Sequence, residues 1–232
     1  LGKAQTWNGT TWTTLRNDLA TTGWWSHMQY GTDLFIAHPT SGVWRYYNNT
    51  LVPIGALPIA QMESDEASLW ASETADTTNF VEGAQAMYVE SAGTQVTMTY
   101  TPAANFDAVS GRLGARDYVS DKSPGTDFYH FRVLFNDTGT IDTTNTRVLM
   151  TDGAAVTLNF PMTVWDSDKD GTTFTTSPTA GTWYDAYLPA LDGTDSGTFN
   201  AANIDTFAFS VDTSAGTRRM ICDDFYVIYN DT

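Results

Sequence analysis

The chain has 232 residues, room for one large β domain or a medium domain beside a small one. Its formal net charge is −16 with a pI near 4.2, which excludes a protein that grips nucleic acid through its phosphates, because that contact needs a Lys/Arg surface. The single cysteine, Cys222, excludes an internal disulfide, no apolar run approaches the ~20 residues of a membrane-spanning helix, and the chain is rich in Thr and aromatic residues, which favour strands over helices.

The chain opens on Leu1 without a leader pattern, as expected of a processed or truncated product. Thr6–Leu15 carries Asn-Gly between two tryptophans, which predicts a hairpin. Trp24–Tyr30, Asp33–Pro39 and Val43–Asn49 predict three further strands, and Leu51–Ile59 an extended, Pro-containing exit. Trp24 and Trp25 are adjacent, so one is expected to face inward and the other to mark a contact surface. Four short strands in this length resemble one blade of the propellers found in viral and extracellular proteins. A lone blade leaves its faces bare, so residues 1–60 are expected either to pack on a partner or to extend the following domain as a small β meander.

Residues 61–232 predict a second unit, an all-β sandwich of jelly-roll type. Its expected strands are Ala60–Glu63, Ala84–Glu90, Gln95–Thr101, Arg112–Tyr118, Asp127–Phe135, Arg147–Met150, Ala155–Asn159, Met162–Trp165, Thr182–Pro189, Thr206–Val211 and Arg219–Tyr229. Turn residues such as Asn136-Asp137-Thr138-Gly139 and Asp192-Gly193 separate them, the rhythm of a β-sandwich.

Landmarks along this stretch recur in one order. Glu63 is followed by Trp70, then Val81-Glu82-Gly83-Ala84-Gln85-Ala86-Met87-Tyr88-Val89, then Phe106-Asp107. Gly181-Thr182-Trp183 with Leu188-Pro189 comes next. Ile204-Asp205-Thr206-Phe207-Ala208-Phe209 and Ile221-Cys222-Asp223-Asp224-Phe225-Tyr226-Val227 close the series. The order resembles the carbohydrate-binding-module, galactose-binding-like jelly roll. Met62, where that family more often has Phe, and the acidic stretch 64–78 depart from it.

Strict alternation in the last strand puts Ile221, Asp223, Phe225 and Val227 on one face, so Asp223 is expected to point into the core. A buried carboxylate is costly unless it is paired or bound to a metal. The resemblance implies a structural Ca²⁺ held by Glu63, Asp223 and carbonyls near Gly83, with six to eight oxygen ligands in all. The alternatives are that Asp223 sits at the strand's frayed end or pairs with an arginine. Asp166-Ser167-Asp168-Lys169-Asp170-Gly171 opens like an EF-hand loop. Its twelfth position is Ser177 instead of Glu, so an acidic hairpin turn is expected.

Strand Asp127–Phe135 alternates Tyr129, Phe131, Val133 and Phe135 against Phe128, His130, Arg132 and Leu134. The second face, with His130 and Arg132, is the candidate ligand surface, and Trp165 and Tyr184 are candidate stacking rings. Sugars present apolar faces rimmed by hydroxyls and are met by such mixtures. Solvent-side residues or subunit contacts are the plainer reading of the same face. Trp183 is expected in the core. No H-E-x-x-H, G-x-S-x-G or P-loop is present, and His27, His38 and His130 lack metal-ligand spacing, so no enzyme is expected. The leading expectation is a structural or adhesive protein of a virion (phage tail or fibre) or other extracellular assembly, homo-oligomeric and able to bind glycans. The alternative is a secreted carbohydrate-binding module of a glycan-degrading enzyme.

Overall fold

A computed structural model describes the chain apart from residues 1, 8, 20, 22, 23, 32, 39–41, 48, 49, 54, 55, 61, 82, 109–127, 169, 170, 191 and 229–232. The strand expected at Arg112–Tyr118 lies outside the described residues.

The chain begins with a hairpin of β1 (Gly2–Trp7) and β2 (Trp12–Leu19), closed at the Trp7–Trp12 pair. A four-stranded antiparallel sheet follows, made of β3 (Ser26–Tyr30), β4 (Asp33–His38), β5 (Gly42–Tyr47) and β6 (Thr50–Pro53) in that order. The hairpin is thus a separate two-stranded sheet, and the fourth strand of the meander is β6, in the segment expected to be an extended exit. Leu15, Leu19 and Leu51 form a small core between the two sheets, with Trp25, Ile36, Trp44 and Tyr46 packed against it.

β7 (Ala56–Ala60) leaves the meander and enters the main body of the fold. Residues 56–60, assigned to the first unit on sequence, therefore belong to a sandwich sheet. The strand expected at Ala60–Glu63 is displaced towards the N-terminus, β7 ending at Ala60, and a 3₁₀ turn at Ser64–Leu69 follows Glu63. Then come β8 (Trp70–Ala71), β9 (Thr74–Asp76), β10 (Ala86–Ser91), β11 (Val96–Tyr100), β12 (Phe128–Asn136), β13 (Thr140–Ile141), β14 (Arg147–Asp152) and β15 (Thr157–Pro161). A second 3₁₀ turn, Met162–Val164, stands where a strand was expected; the Met162 N–H still donates to Thr146 O at 2.8 Å, and the chain leaves β14 after that bond. β16 (Trp183–Pro189), β17 (Thr194–Asp195), β18 (Ile204–Val211), β19 (Thr213–Ala215) and β20 (Arg218–Ile228) complete the chain.

Two six-stranded antiparallel sheets face each other. One runs β16-β12-β20-β10-β9 with β7 added to β20, and the other β17-β15-β14-β18-β11-β8. Consecutive strands repeatedly cross between them, the jelly-roll habit. Phe131, Trp165, Phe207, Phe209 and Phe225 fill the interface with edge-to-face contacts, including Phe131–Trp165 at 5.2 Å and Phe209–Phe225 at 5.1 Å. Such arrangements suit the ring quadrupoles.

β20 organises the first sheet. Arg219–Ile228 pair with β12 on one side, across a register shift between His130 and Arg132. On its other side Arg218–Cys222 pair with β10, and Phe225–Ile228 pair with β7. The break between these partners falls at Asp223-Asp224, where Asp224 takes a positive φ of 59°. This bulge adds a residue and shifts the alternation. Met220, Cys222, Phe225 and Val227 consequently share the inner core, while Ile221, Tyr226 and Ile228 belong to clusters on the outer face. The expected single face through Ile221, Asp223, Phe225 and Val227 is corrected accordingly.

Candidate functional site

The outer face of the first sheet carries a grouping of polar and aromatic side chains. Strand register explains how it forms. β12 pairs with β16 as Leu134–Trp183, Arg132–Asp185 and His130–Tyr187, and with β20 as Leu134–Ile221 and His130–Tyr226. Opposed residues share a face, so three rows cross the sheet. The first is apolar, from Trp183 through Leu134 to Ile221. The second is charged, Asp185 beside Arg132. The third is aromatic, Tyr187, His130 and Tyr226.

His130 is buried between Tyr226, stacked at 4.5 Å, and Tyr187 at 4.6 Å. Its Nε2–H donates to Asp185 Oδ1 over 2.9 Å, and Arg132 Nε lies 3.3 Å from the same oxygen. Burial pushes the imidazole below its ordinary range, against the pull of Asp185. Burial would raise the Asp185 carboxyl, but the bond from His130 and the Arg132 charge outweigh it and hold the group low. Burial pushes the Tyr187 phenol up to about 12, so it remains a hydrogen-bond donor at neutral pH. The accessible part of the face runs along β16, where the Asp185 side chain is 43% exposed and Trp183 and Tyr187 are half-buried. Residues two apart on a strand stand ~6.6 Å apart, so Trp183, Asp185 and Tyr187 form a strip of roughly 13 Å.

The expected ligand residues divide. His130 and Arg132 do lie on one face and share Asp185, but the ring of His130 is enclosed and the open part of the face lies beside it. Trp165 is corrected: it is fully buried, its Nε1–H donates to Phe160 O at 3.0 Å, and no ring face is left for a ligand. Tyr184 is corrected as well, because it pairs with Val133 and points to the inner side, 5.6 Å from Phe174. Its hydroxyl accepts the Thr179 N–H at 2.9 Å. Trp183, expected in the core, lies on the outer face against Leu134, Ala86 and Ile221. Asp185 and Tyr187 were not foreseen. Alternation along β16 would have grouped them with Trp183 once Arg132 was set opposite Asp185.

The expected calcium residues converge on the segment 81–85. Asp223, fully buried at the bulge, accepts the N–H of Val81 on Oδ2 and of Asp224 on Oδ1. Glu63 Oε1 accepts the N–H of Ala84 at 2.8 Å and of Gln85 at 3.4 Å. Gly83 lies between them at φ +61°, and a Cβ there would stand 1.6 Å from Glu63 Oε1. Two carboxylates and a turn of backbone are donors of the class Ca²⁺ takes. Each oxygen named also accepts an N–H, which offsets part of the cost of burial. Among the described residues no group of three or more His, Cys, Asp and Glu side chains is placed to hold a metal. In the acidic loop after Trp165, Asp166 is bridged to Thr173 and Asp168 Oδ1 accepts the Thr172 N–H at 3.0 Å.

The meander carries the most exposed aromatic surface of the described chain. Trp24 is 91% exposed, and Trp7, Trp12, Met28 and Tyr30 are also open. Trp25 turns inward onto His38, with ring centroids 4.7 Å apart. Arg16 joins the meander to the sandwich: its Nη1 lies 2.7 Å from Asp224 Oδ2, both side chains are buried, and its guanidinium caps the Trp44 ring at 4.2 Å.

No family model matches the chain, and no curated protein sequence matches it. Solved structures with a similar fold include two of the family 11 carbohydrate-binding module of Clostridium thermocellum. The module of the cellulosomal cellulase Lic26A-Cel5E is 12% identical, covering 76% of this chain and 95% of that one at a TM-score of 0.47. The structure in complex with a β-1,3-1,4-mixed-linked tetrasaccharide is 11% identical, covering 76% and 97% at 0.48. The family 30 module of the C. thermocellum cellulase Cel9D-Cel44B is 12% identical, covering 77% and 94% at 0.46.

Proposed function

We propose that the sandwich is a non-catalytic, extracellular glycan-binding module that engages a short oligosaccharide segment along β16. The observation that carries this reading is the strip Trp183–Asp185–Tyr187. It offers two aromatic surfaces for the apolar faces of sugars, and between them a carboxylate fixed by His130 and Arg132 as a hydrogen-bond acceptor. Holding Asp185 in place before the ligand arrives reduces the ordering cost of binding. Binding instead of hydrolysis fits the second carboxylate of this face, Asp224, which is buried in an ion pair with Arg16, whereas glycoside hydrolysis needs two available carboxyls. We assign Glu63, Gly83 and Asp223 to a structural Ca²⁺ that would stiffen the 81–85 turn without contacting ligand. The test is a panel of soluble polysaccharides in affinity electrophoresis and calorimetry. At least one should bind, and Trp183→Ala and Asp185→Ala should each weaken it more than about tenfold, or 1.4 kcal/mol. A panel blank at high protein concentration rejects the reading. Chelation should lower the melting temperature and added Ca²⁺ restore it; a melt indifferent to both rejects the ion.

A second reading, assembly into a virion or other extracellular particle, is favoured by the meander. Of the chain's 11 basic and 27 acidic residues, only Lys3, Arg16, Arg45, Asp18 and Asp33 fall in residues 1–60. The meander is nearly neutral on a strongly acidic protein, so copies can meet there without bringing their sandwiches together. All five residues of β3 are exposed, and this edge strand has none of the charges or prolines that commonly block strand addition. A second copy pairing through β3 is the assembly this predicts. Light scattering should then show a dimer that Met28→Lys converts to monomer, and a wild-type monomer at high concentration rejects it.

A further inference from the structure

A polar cavity lies at the end of the sandwich where β12 runs out and β20 begins. It has a volume of about 190 Å³ and is walled by two loops, Thr138-Gly139-Thr140-Ile141 on one side and Thr176-Ser177-Pro178 on the other, with Arg218 completing its lining. Arg218 is 5% exposed and stands at the first residue of β20. Its Nη1–H donates to Asp137 O and its Nη2–H to Pro178 O, so the guanidinium spans the two loops that form the walls. The Phe135 ring backs it at 5.5 Å. Its Nε–H is buried and has no acceptor.

Three other arginines among the described residues sit against carboxylates. Arg16 meets Asp224, Arg132 meets Asp185, and Arg219, the neighbour of Arg218, meets Glu90 at 2.9 Å. In a chain with 27 acidic residues against 11 basic ones, carboxylate partners are plentiful. Arg218 nonetheless meets two carbonyls and a ring, with no carboxylate paired to it among the described residues. The nearest acidic influence on it is the exposed Asp137, which it meets through the backbone oxygen. Burying a guanidinium against neutral groups is costly unless an anion joins it, and Arg is the side chain best shaped to hold a carboxylate or sulfate in two bonds. The hydroxyls of Thr138, Thr140, Thr176 and Ser177 around the cavity supply neutral donors for the remaining oxygens.

We propose that this cavity is an oxyanion site, in which Arg218 with the threonine and serine hydroxyls binds a carboxylate or sulfate group. The group can come as a free inorganic anion or as the acidic substituent of a sugar chain. The site does not depend on the β16 strip, and the two are separated by experiment.

Sodium sulfate, sodium glucuronate and a short oligoglucuronate are titrated into ¹⁵N-labelled protein at constant ionic strength, with glucose and chloride as blanks. Saturable shifts should appear at residues 138–141, 176–178 and 218 for the three oxyanions only, with Kd on the order of 1–10 mM for the small ones. Arg218→Gln should abolish them. Since that variant also removes the bridge between two loops, Thr140→Val and Ser177→Ala provide the second arm, and each should weaken binding at least about threefold. Asp185→Ala should leave the shifts unchanged. An oligoglucuronate tighter than sulfate identifies a sugar-borne group, and equal or tighter sulfate identifies a free anion. No saturable shift in the wild-type protein overturns the proposal, as do shifts that persist unaltered in Thr140→Val and Ser177→Ala.

Discussion

Gly83→Ala tests the junction of Glu63, Asp223 and the 81–85 turn most directly. Gly83 sits at φ +61°, where an L-residue carries a penalty of roughly 1–2 kcal/mol. The new Cβ would also fall 1.6 Å from Glu63 Oε1, so the carboxylate must swing away. It then loses the 2.8 Å bond from the Ala84 N–H and the longer one from Gln85. A bond to a charged acceptor is worth roughly 1.5–3 kcal/mol, and the low figure applies because Ala84 is exposed. Together these give a loss of about 3 kcal/mol, or roughly 6–12 °C in melting temperature for a chain of this size. Urea unfolding followed by tryptophan fluorescence measures it. Glu63→Ala should cost about 1.5 kcal/mol alone. In that background Gly83→Ala should cost only the backbone penalty, because the clash is gone. A Gly83→Ala loss below about 1 kcal/mol, or a strictly additive double variant, would refute the reasoning.

Other consequences follow from the same contacts. Asp224→Asn leaves Arg16 buried against a neutral amide and should cost about 3–5 kcal/mol, while Arg16→Met with Asp224→Leu should recover much of it; denaturant melts of the three variants decide. His130 has a folded pKa below its unfolded value, so the unfolded chain binds its proton first as pH falls. Stability should therefore decline below about pH 6.5, and His130→Gln should flatten that decline; an unchanged slope between pH 7.5 and 5 would count against the buried neutral ring. Burial, and secondarily Asp223, pushes the Cys222 thiol up. It should resist a thiol reagent in the native protein and react on unfolding, and rapid native labelling would show that β20 opens locally.

The sandwich was legible because its cues are local. Turn residues between β-branched and aromatic runs located β10, β11, β12, β14, β15, β16, β18 and β20 to within a few residues. The alternation of β12 also separated Phe131 and Phe135 from His130 and Arg132 correctly. Cues that depend on a partner strand were invisible. Tyr184 and Tyr187 are equally aromatic, and only the register Arg132–Asp185 shows which of them shares a face with His130. Trp165 reads as a platform until its indole N–H is found bonded inside the core. A 3₁₀ turn takes over at Met162 where a run of apolar residues implied a further strand.

The misread alternation of β20 accounts for how the molecule is assembled. Without the bulge, Asp223 would sit in an apolar row and Asp224 in the row of Tyr226, and a single strand could run beside β20 throughout. With Asp224 at φ +59°, β10 ends as a partner at Cys222 and β7 takes over at Phe225. The gap between them admits the 81–85 turn, which Asp223 holds through Val81. Asp224 then turns outward to meet Arg16, the side chain that anchors the meander. One extra residue thus creates the site of the expected cation, splits the sheet between two partners and fixes the N-terminal unit beside the face that carries His130 and Tyr226. The Asp-Asp pair in the sequence points to this once strict alternation is abandoned, because two consecutive carboxylates in a buried strand each require their own partner.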